Sequence, residues 1–254
     1  MSDLKDKVII VTGGASGIGK KSAEVFANQG AIVVVADLDE AGAATVDGIV
    51  NRGGKGLFVK TNVTREADVE NLVATTIKEF GRLDCAFNNA GVEQAIKPLH
   101  EIEESQWDKV VGIDLKGVFL CMKHQIKAML ESGQGGSIVN TSSTVGMVAV
   151  PFAAEYVAAK AGVIGLTRAA AVDYAKQGIR VNTVAPGMTQ TAMIERMPND
   201  PELMKIFGAI QAAVPMQRLG QAEEIAQTVS FLLSDAASFI TGAALPVDGG
   251  HTAV

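Results

Sequence analysis

Tyr156 and Lys160 stand four residues apart in the alanine-rich stretch Ala153–Lys176. That composition favours a helix, and Gly178 just beyond it suits a helix end. Positions i and i+4 lie on one helix face. Ser143 precedes Tyr156 by thirteen residues, at the end of a short apolar run. A lone Tyr-x-x-x-Lys pair is usually an ordinary helix surface. Joined by a hydroxyl, the phenol and the amine form a set that can work on an alcohol carbon. Taking a hydride from such a carbon requires removing the hydroxyl proton. A free phenol titrates near ~10, too high for a good base at neutral pH. A neighbouring ammonium stabilises phenolate, and bringing the phenol down to about 7 corresponds to ~4 kcal/mol, within reach of a close charge in a partly dry cleft. Ser143 would hydrogen-bond the substrate oxygen and fix its distance from a hydride acceptor.

A second constellation lies near the start. The apolar run Val8–Val11 leads into Thr12-Gly13-Gly14-Ala15-Ser16-Gly17-Ile18-Gly19, and a helical stretch follows at once. Glycines in such a loop let backbone N–H groups approach a diphosphate, and the helix N-terminus adds partial positive charge. The bland reading is a strand-to-helix turn. Asp37, 18 residues beyond Gly19 at the end of the next apolar run, argues against it. Its spacing and position suit a carboxylate that accepts both ribose hydroxyls of an adenosine. Such a carboxylate repels a 2′-phosphate, and neither Leu38 nor Ser16 supplies a compensating cation, so the pair favours NAD over NADP. No Gly-Lys-Ser/Thr follows the loop, which excludes a nucleoside-triphosphate P-loop.

These groups need a sheet to present them. Seven short runs, Val8–Val11, Ile32–Ala36, Gly56–Val59, Leu83–Phe87, Ser137–Val139, Arg180–Val184 and Ala243–Val247, are apolar almost continuously. Strands of that kind are covered on both faces. Helical periodicity fills the gaps, as in Ala67–Phe80 and Ile225–Leu233. The alternation predicts an α/β fold: a Rossmann-like, doubly wound parallel seven-stranded sheet with helices on both faces. Ligands of such sheets bind outside the C-terminal strand ends, where Ser143 is expected. Residues 1–254 read as a single dinucleotide-binding and catalytic domain. Its one long irregular stretch, 188–220, carries Pro198, Pro201 and Pro215 and is expected to be a substrate lid. Met188, Met193, Met197, Met204 and Met216 fall within it. Methionine fills irregular apolar gaps, so Met188 and Met193 are expected to line a pocket, with Met147 and Val150 as the opposite wall. The competing reading is that these methionines only pack the lid. Arg196 and Lys205 are the only cations between Gly187 and Arg218, which leaves no clamp for a doubly charged substrate. The expected substrate is a neutral, largely apolar or cyclic secondary alcohol or ketone.

Composition narrows the partners. Of 254 residues, 22 are Lys or Arg and 28 are Asp or Glu, a net charge of −6. That excludes the basic surface a nucleic-acid binder needs and the polybasic handle of an anionic membrane. No run approaches the length of a membrane helix and no secretory leader is visible, so a cytoplasmic protein is expected. Cys85 and Cys121 sit in apolar surroundings and read as buried free thiols. His100, His124 and His251 are scattered and no His-Glu-x-x-His occurs, so no metal site is expected.

Taken together, Thr12…Gly13…Gly17-Ile18-Gly19, Asn88-Asn89-Ala90-Gly91, Ser143, Tyr156, Lys160, Pro186-Gly187 and Asp248-Gly249-Gly250 resemble the short-chain dehydrogenase/reductase family over the whole chain. The resemblance implies that Lys160 also binds the nicotinamide ribose. It implies that Asn88 and Gly91 line the adenosine side, and that Asn89 and Ala90 belong to the coenzyme site. It implies that Thr191 meets the carboxamide or diphosphate, with Thr189 offering backbone groups, and that Pro186 and Gly187 belong to the coenzyme site. Relatives of this kind are commonly homotetramers. Two positions depart from the family. Asn62, with Val63 next to it at the coenzyme site, stands where Asp usually lies beside the adenine. Its carbonyl is expected to serve the adenine amine instead. Asp114 stands where the fourth catalytic residue is usually Asn, whose helix distortion presents a backbone carbonyl to a lysine-linked water. The four-residue Tyr156-to-Lys160 spacing differs from the longer spacing of the family's enoyl reductases. The alternatives are a 3-oxoacyl-type or sugar dehydrogenase/reductase of the family, or a catalytically silent dinucleotide-binding protein.

Overall fold

The β-branched runs do form the expected sheet. In the computed structural model, which describes residues 4–191, 205, 208, 209 and 211–253, the strands are β1 (Val8–Thr12), β2 (Ile32–Asp37), β3 (Lys55–Lys60), β4 (Cys85–Asn88), β5 (Gly136–Thr141), β6 (Ile179–Pro186) and β9 (Ala244–Val247). All seven are parallel, in the order β3-β2-β1-β4-β5-β6-β9. The chain reverses its winding between β1 and β4. That switch point opens a crevice at the strands' C-terminal ends. Residues 192–204, 206, 207 and 210 lie outside the described residues, so Met193, Met197 and Met204 of the expected lid do too. The neck of that segment is described: two-residue strands β7 (Thr189–Gln190) and β8 (Gly220–Gln221) pair in parallel.

Alternation along each strand sends side chains to two cores. Ile9, Val11, Val33, Val35 and Phe87 pack on one face under α1 (Gly17–Asn28), α2 (Ala41–Asn51) and α7 (Ala222–Leu233). Val8, Ile10, Val34, Ala86 and Ile138 pack on the other under α3 (Glu66–Phe80), α5 (Val118–Ser132) and α6 (Ala154–Tyr174). Burying a Val or Ile side chain contributes about 1.5–3 kcal/mol, which fixes strand register because a one-residue slip would exchange the two faces. The helix α4 (Glu104–Val111) runs into a π-helical turn, Gly112–Gly117, which continues as α5.

Behind β4 and β5 sits a cluster of buried amides. Asn88 Nδ2 donates to Gln125 Oε1 and Asn140 Oδ1, and Gln125 Nε2 donates back to Asn88. Asn140 Nδ2 donates to the Thr167 hydroxyl. Each polar group finds a partner, so the network can stay dry. Asn88 is therefore committed to the interior. The expectation that it lines the adenosine side is corrected by this network, and the next three residues carry the motif to the crevice.

Candidate active site

The glycine loop owes its shape to close backbone approaches. Gly13 has φ +67°, and a Cβ there would stand 2.8 Å from Ala90 Cα. A Cβ on Gly19 would overlap the Gly13 carbonyl oxygen. Asn89 ties the loop to β4: its Nδ2 donates to the carbonyls of Thr12 and Gly13, while the Thr12 hydroxyl accepts the N–H groups of Asn89 and Ala90. Ser16 caps α1 with an extended backbone, followed by Gly17, Ile18 and Gly19 in its first turn. Asp37 ends β2 beside the loop. Its two oxygens accept the N–H groups of Ala15 (2.9 Å) and Asp39 (3.0 Å), which orients the carboxylate. Lys60, in register with Asp37 on β3, has its ammonium 2.7 Å from Glu40 instead.

Across the crevice, Pro186 ends β6, and the Gly187 N–H donates to Val247 O at 3.0 Å. Thr189 is buried and its hydroxyl donates to the Gly187 carbonyl. Thr191 reaches the glycine loop: its Cβ lies 3.6 Å from where a Gly17 Cβ would be. The cradle is thus closed by two distant stretches of chain. Asn62 differs from expectation. Its Oδ1 accepts both the N–H (3.0 Å) and the hydroxyl (2.8 Å) of Thr64. The carbonyl expected to serve an adenine amine is already used, and only the NH2 donor remains. Val63 packs against Gly117 at the end of the π turn.

Ser143, Tyr156 and Lys160 converge at the β5 end, as their spacing predicts. Ser143 caps a 3-10 turn (Thr144–Gly146). Its Oγ accepts the Val145 N–H at 3.3 Å and stands 3.5 Å from the Pro186 carbonyl. Tyr156 and Lys160 lie in the first two turns of α6, with Lys160 Nζ 5.3 Å from the Tyr156 ring centroid. Lys160 is buried and donates to the Thr141 carbonyl at 3.2 Å. Its counter-charge is Asp114, wholly buried in the π turn, with Oδ2 3.1 Å from Nζ. The other Asp114 oxygen accepts the Val92 N–H at 2.8 Å. Gly91 lies beside this pair, since a Cβ on it would stand 3.3 Å from Asp114 Oδ2.

Asp114 changes the electrostatics expected from the lysine alone. Burial pushes Lys160 down, while Asp114 and Tyr156 raise it, and the net direction is up. The ammonium is secured. Burial also pushes the Tyr156 phenol up; Lys160 pulls it down, Asp114 pushes it up, and a hydrogen bond with Ser143 pulls it down. Lys160 lowers the phenol as its spacing predicts, but burial and Asp114 outweigh it, and the net direction is upward. Tyr156 is half-buried, and Lys160 beside it is buried.

The expected pocket residues are placed unevenly. Met147 is exposed beyond the 3-10 turn, and Met188 is half-buried beside β7. Val150 lines an apolar groove of about 380 Å³ with Lys97, Leu99, Phe152 and Val157. Met193 lies outside the described residues. Sequence reasoning passed over Glu155, which is buried beside Tyr156 and whose partner lies far along the chain.

A glycine-cradled crevice beside a Ser-Tyr-Lys set defines a dinucleotide-binding oxidoreductase. A family model described as "Enoyl-(Acyl carrier protein) reductase" matches residues 13–252. The chain belongs to the short-chain dehydrogenase/reductase family that this model and the following relatives share. It is 50% identical over 256 residues, all of both chains, to 2,5-dichloro-2,5-cyclohexadiene-1,4-diol dehydrogenase of Sphingobium indicum. It is 45% identical over 249 residues, 98% of each chain, to cis-4-hydroxycyclohexanecarboxylate dehydrogenase of Sinomonas cyclohexanicum. The solved structure of levodione reductase superimposes with a TM-score of 0.94 at 38% identity, covering 98% of this chain and 99% of that one.

Proposed function

We propose that the protein is an NAD-dependent dehydrogenase that oxidises a secondary alcohol on a six-membered ring, or reduces the matching ketone. The observation that carries this reading is the convergence of Ser143, Tyr156 and Lys160 beside the β1/β4 crevice. The names of the two relatives, both ring alcohols, support the substrate class. One of them bears a carboxylate, so the ring supports the class better than neutrality does.

The cradle suits a dinucleotide: Gly13, Ser16, Gly17, Ile18 and Gly19 would hold its diphosphate, with Thr189 and Thr191 opposite. Asp37 would take the adenosine ribose hydroxyls, and its charge supports NAD over NADP. Asn62, Val63, Asn89 and Ala90 would flank the adenosine half. Gly91, Lys160, Pro186 and Gly187 would flank the nicotinamide half. The bound coenzyme supplies the hydride acceptor. Ser143 then orients the substrate oxygen, and Tyr156 Oη takes the hydroxyl proton. Lys160 stabilises the phenolate, and Asp114 keeps Lys160 charged and in place.

The 188–220 segment would act as the lid of a single domain, with Met147, Val150, Met188 and Met193 around the ring. Exposed Phe239 and Leu245, in the apolar segment Phe239–Val247, would suit a subunit interface of a homotetramer. No described helix is long and apolar enough to cross a membrane, which is compatible with a cytoplasmic site. The test is a panel of ring alcohols, free sugars and 3-hydroxy acids assayed with NAD and NADP in parallel. A sugar or an open-chain acid preferred tenfold would refute the substrate class.

A further inference from the structure

Glu155 takes no part in the reaction laid out above, yet it adjoins Tyr156 and is fully buried. An acid in the first turn of α6 has the favourable sign for the helix dipole. That benefit does not require withdrawing the carboxylate from water, which is costly unless the oxygens are partnered. Glu155 Oε1 accepts the Ala95 N–H at 2.6 Å, while Oε2 is buried with no hydrogen-bond partner. Among the hydrogen bonds described, the carboxylate is committed to one backbone amide sixty residues away.

Ala95 lies in the connection between β4 and α4. Its neighbour Ile96 has φ +56°, a left-handed conformation that a β-branched residue adopts only when its surroundings impose it. Beyond Ile96, Lys97 and Leu99 form one side of the apolar groove whose other side is Val150, Phe152 and Val157. At the start of the same connection, Val92 N–H is held by Asp114. The segment is therefore pinned at two amides by two buried carboxylates. One carboxylate is ion-paired to Lys160 and the other is next to Tyr156 in the chain.

We propose that Glu155 is a positioning residue: by holding Ala95 it fixes the Val92–Lys97 segment against the head of α6 and so sets a wall of the substrate cleft. The clamp is read from the geometry alone; the choice of a ring alcohol as probe rests on the proposed function.

The test uses Glu155→Ala and Glu155→Gln in the full chain. Each is measured for amide hydrogen exchange at Ala95 and for kcat and KM with a cyclohexanol-type substrate and with NAD. The alanine variant loses the side-chain oxygen that accepts the Ala95 N–H. It should exchange Ala95 faster and raise the substrate KM by about tenfold or more. The coenzyme KM should stay within about twofold, since the glycine loop is untouched. Glutamine retains the acceptor and should restore both readouts to within about threefold of the parent. If the alanine variant does not fold, the glutamine variant decides alone. The proposal is overturned if Ala95 protection is unchanged in the alanine variant. It is also overturned if glutamine fails to restore the parent values, or if substrate KM, coenzyme KM and kcat deteriorate together. Loss of Ala95 protection in Glu155→Ala, with a parent that turns over no ring alcohol, would uphold the clamp and refute the substrate reading instead.

Discussion

Replacing Asp114 with Asn removes one buried charge while keeping the side-chain shape. Asn retains an oxygen for the Val92 N–H, so the π turn and the segment it holds should persist. What changes is the field at the reacting phenol. Asp114 Oδ2 is 3.1 Å from Lys160 Nζ, which is 5.3 Å from the Tyr156 ring centre. The carboxylate therefore lies at most about 8 Å from the ring, where a unit charge at an effective dielectric near 20 contributes about 2 kcal/mol. That corresponds to roughly 1.5 pH units. Asp114 pushes the phenol up, so its removal should carry the acidic limb of kcat/KM for alcohol oxidation to lower pH by about one unit or more. Asp114 also raises Lys160 against burial, so the lysine should lose its proton more readily and the alkaline limb should fall as well. Both limbs move the same way. The variant should also be less stable: breaking a buried pair costs about 3–5 kcal/mol, reduced here because the Thr141 carbonyl still accepts from Lys160. The assay is a pH–rate profile of parent and Asp114→Asn under saturating NAD. Superimposable profiles would show that only the backbone of the π turn matters, and an acidic limb moved upward would refute the electrostatic account.

Tyr156→Phe should lower kcat by about 10²–10⁴ with coenzyme affinity nearly unchanged, checked by initial rates and by NADH fluorescence titration. Lys160→Ala should damage both coenzyme binding and turnover in the same assays. Asp37→Ser should narrow the gap between NAD and NADP in kcat/KM, because the carboxylate that repels a 2′-phosphate is gone; an unchanged ratio would mean that Asp37 does not read the ribose. Gly19→Ala should abolish coenzyme binding, since its Cβ would overlap the Gly13 carbonyl, and calorimetry with NADH would detect it.

What could be read from the sequence is what local patterns govern. Apolar runs covered on both faces gave the strands to within a few residues, and their alternation with helices gave a parallel sheet. The Ser143, Tyr156 and Lys160 grouping followed because a four-residue helical spacing and a strand end are local facts. Side-chain partners far along the chain were not legible. Asn88 turns inward because Gln125 and Asn140 await it, and Asn62 is occupied because Thr64 supplies two donors. The upward push on Tyr156 comes from burial and from Asp114, whose distance from the ring no spacing rule reveals. Glu155 was passed over for the same reason, since its value depends on an amide sixty residues away.

The central claim is that Tyr156, charged through Lys160, removes the hydroxyl proton while hydride leaves a ring carbon for NAD. Its most direct test is NADH formation measured beside ketone formation, with a cyclohexanol-type substrate, in the parent and in Tyr156→Phe. One NADH per ketone in the parent and a rate at least about a hundredfold lower in the variant are the predicted results. A parent that produces no NADH from any ring alcohol, or a folded Tyr156→Phe enzyme that keeps the parent rate, would contradict it.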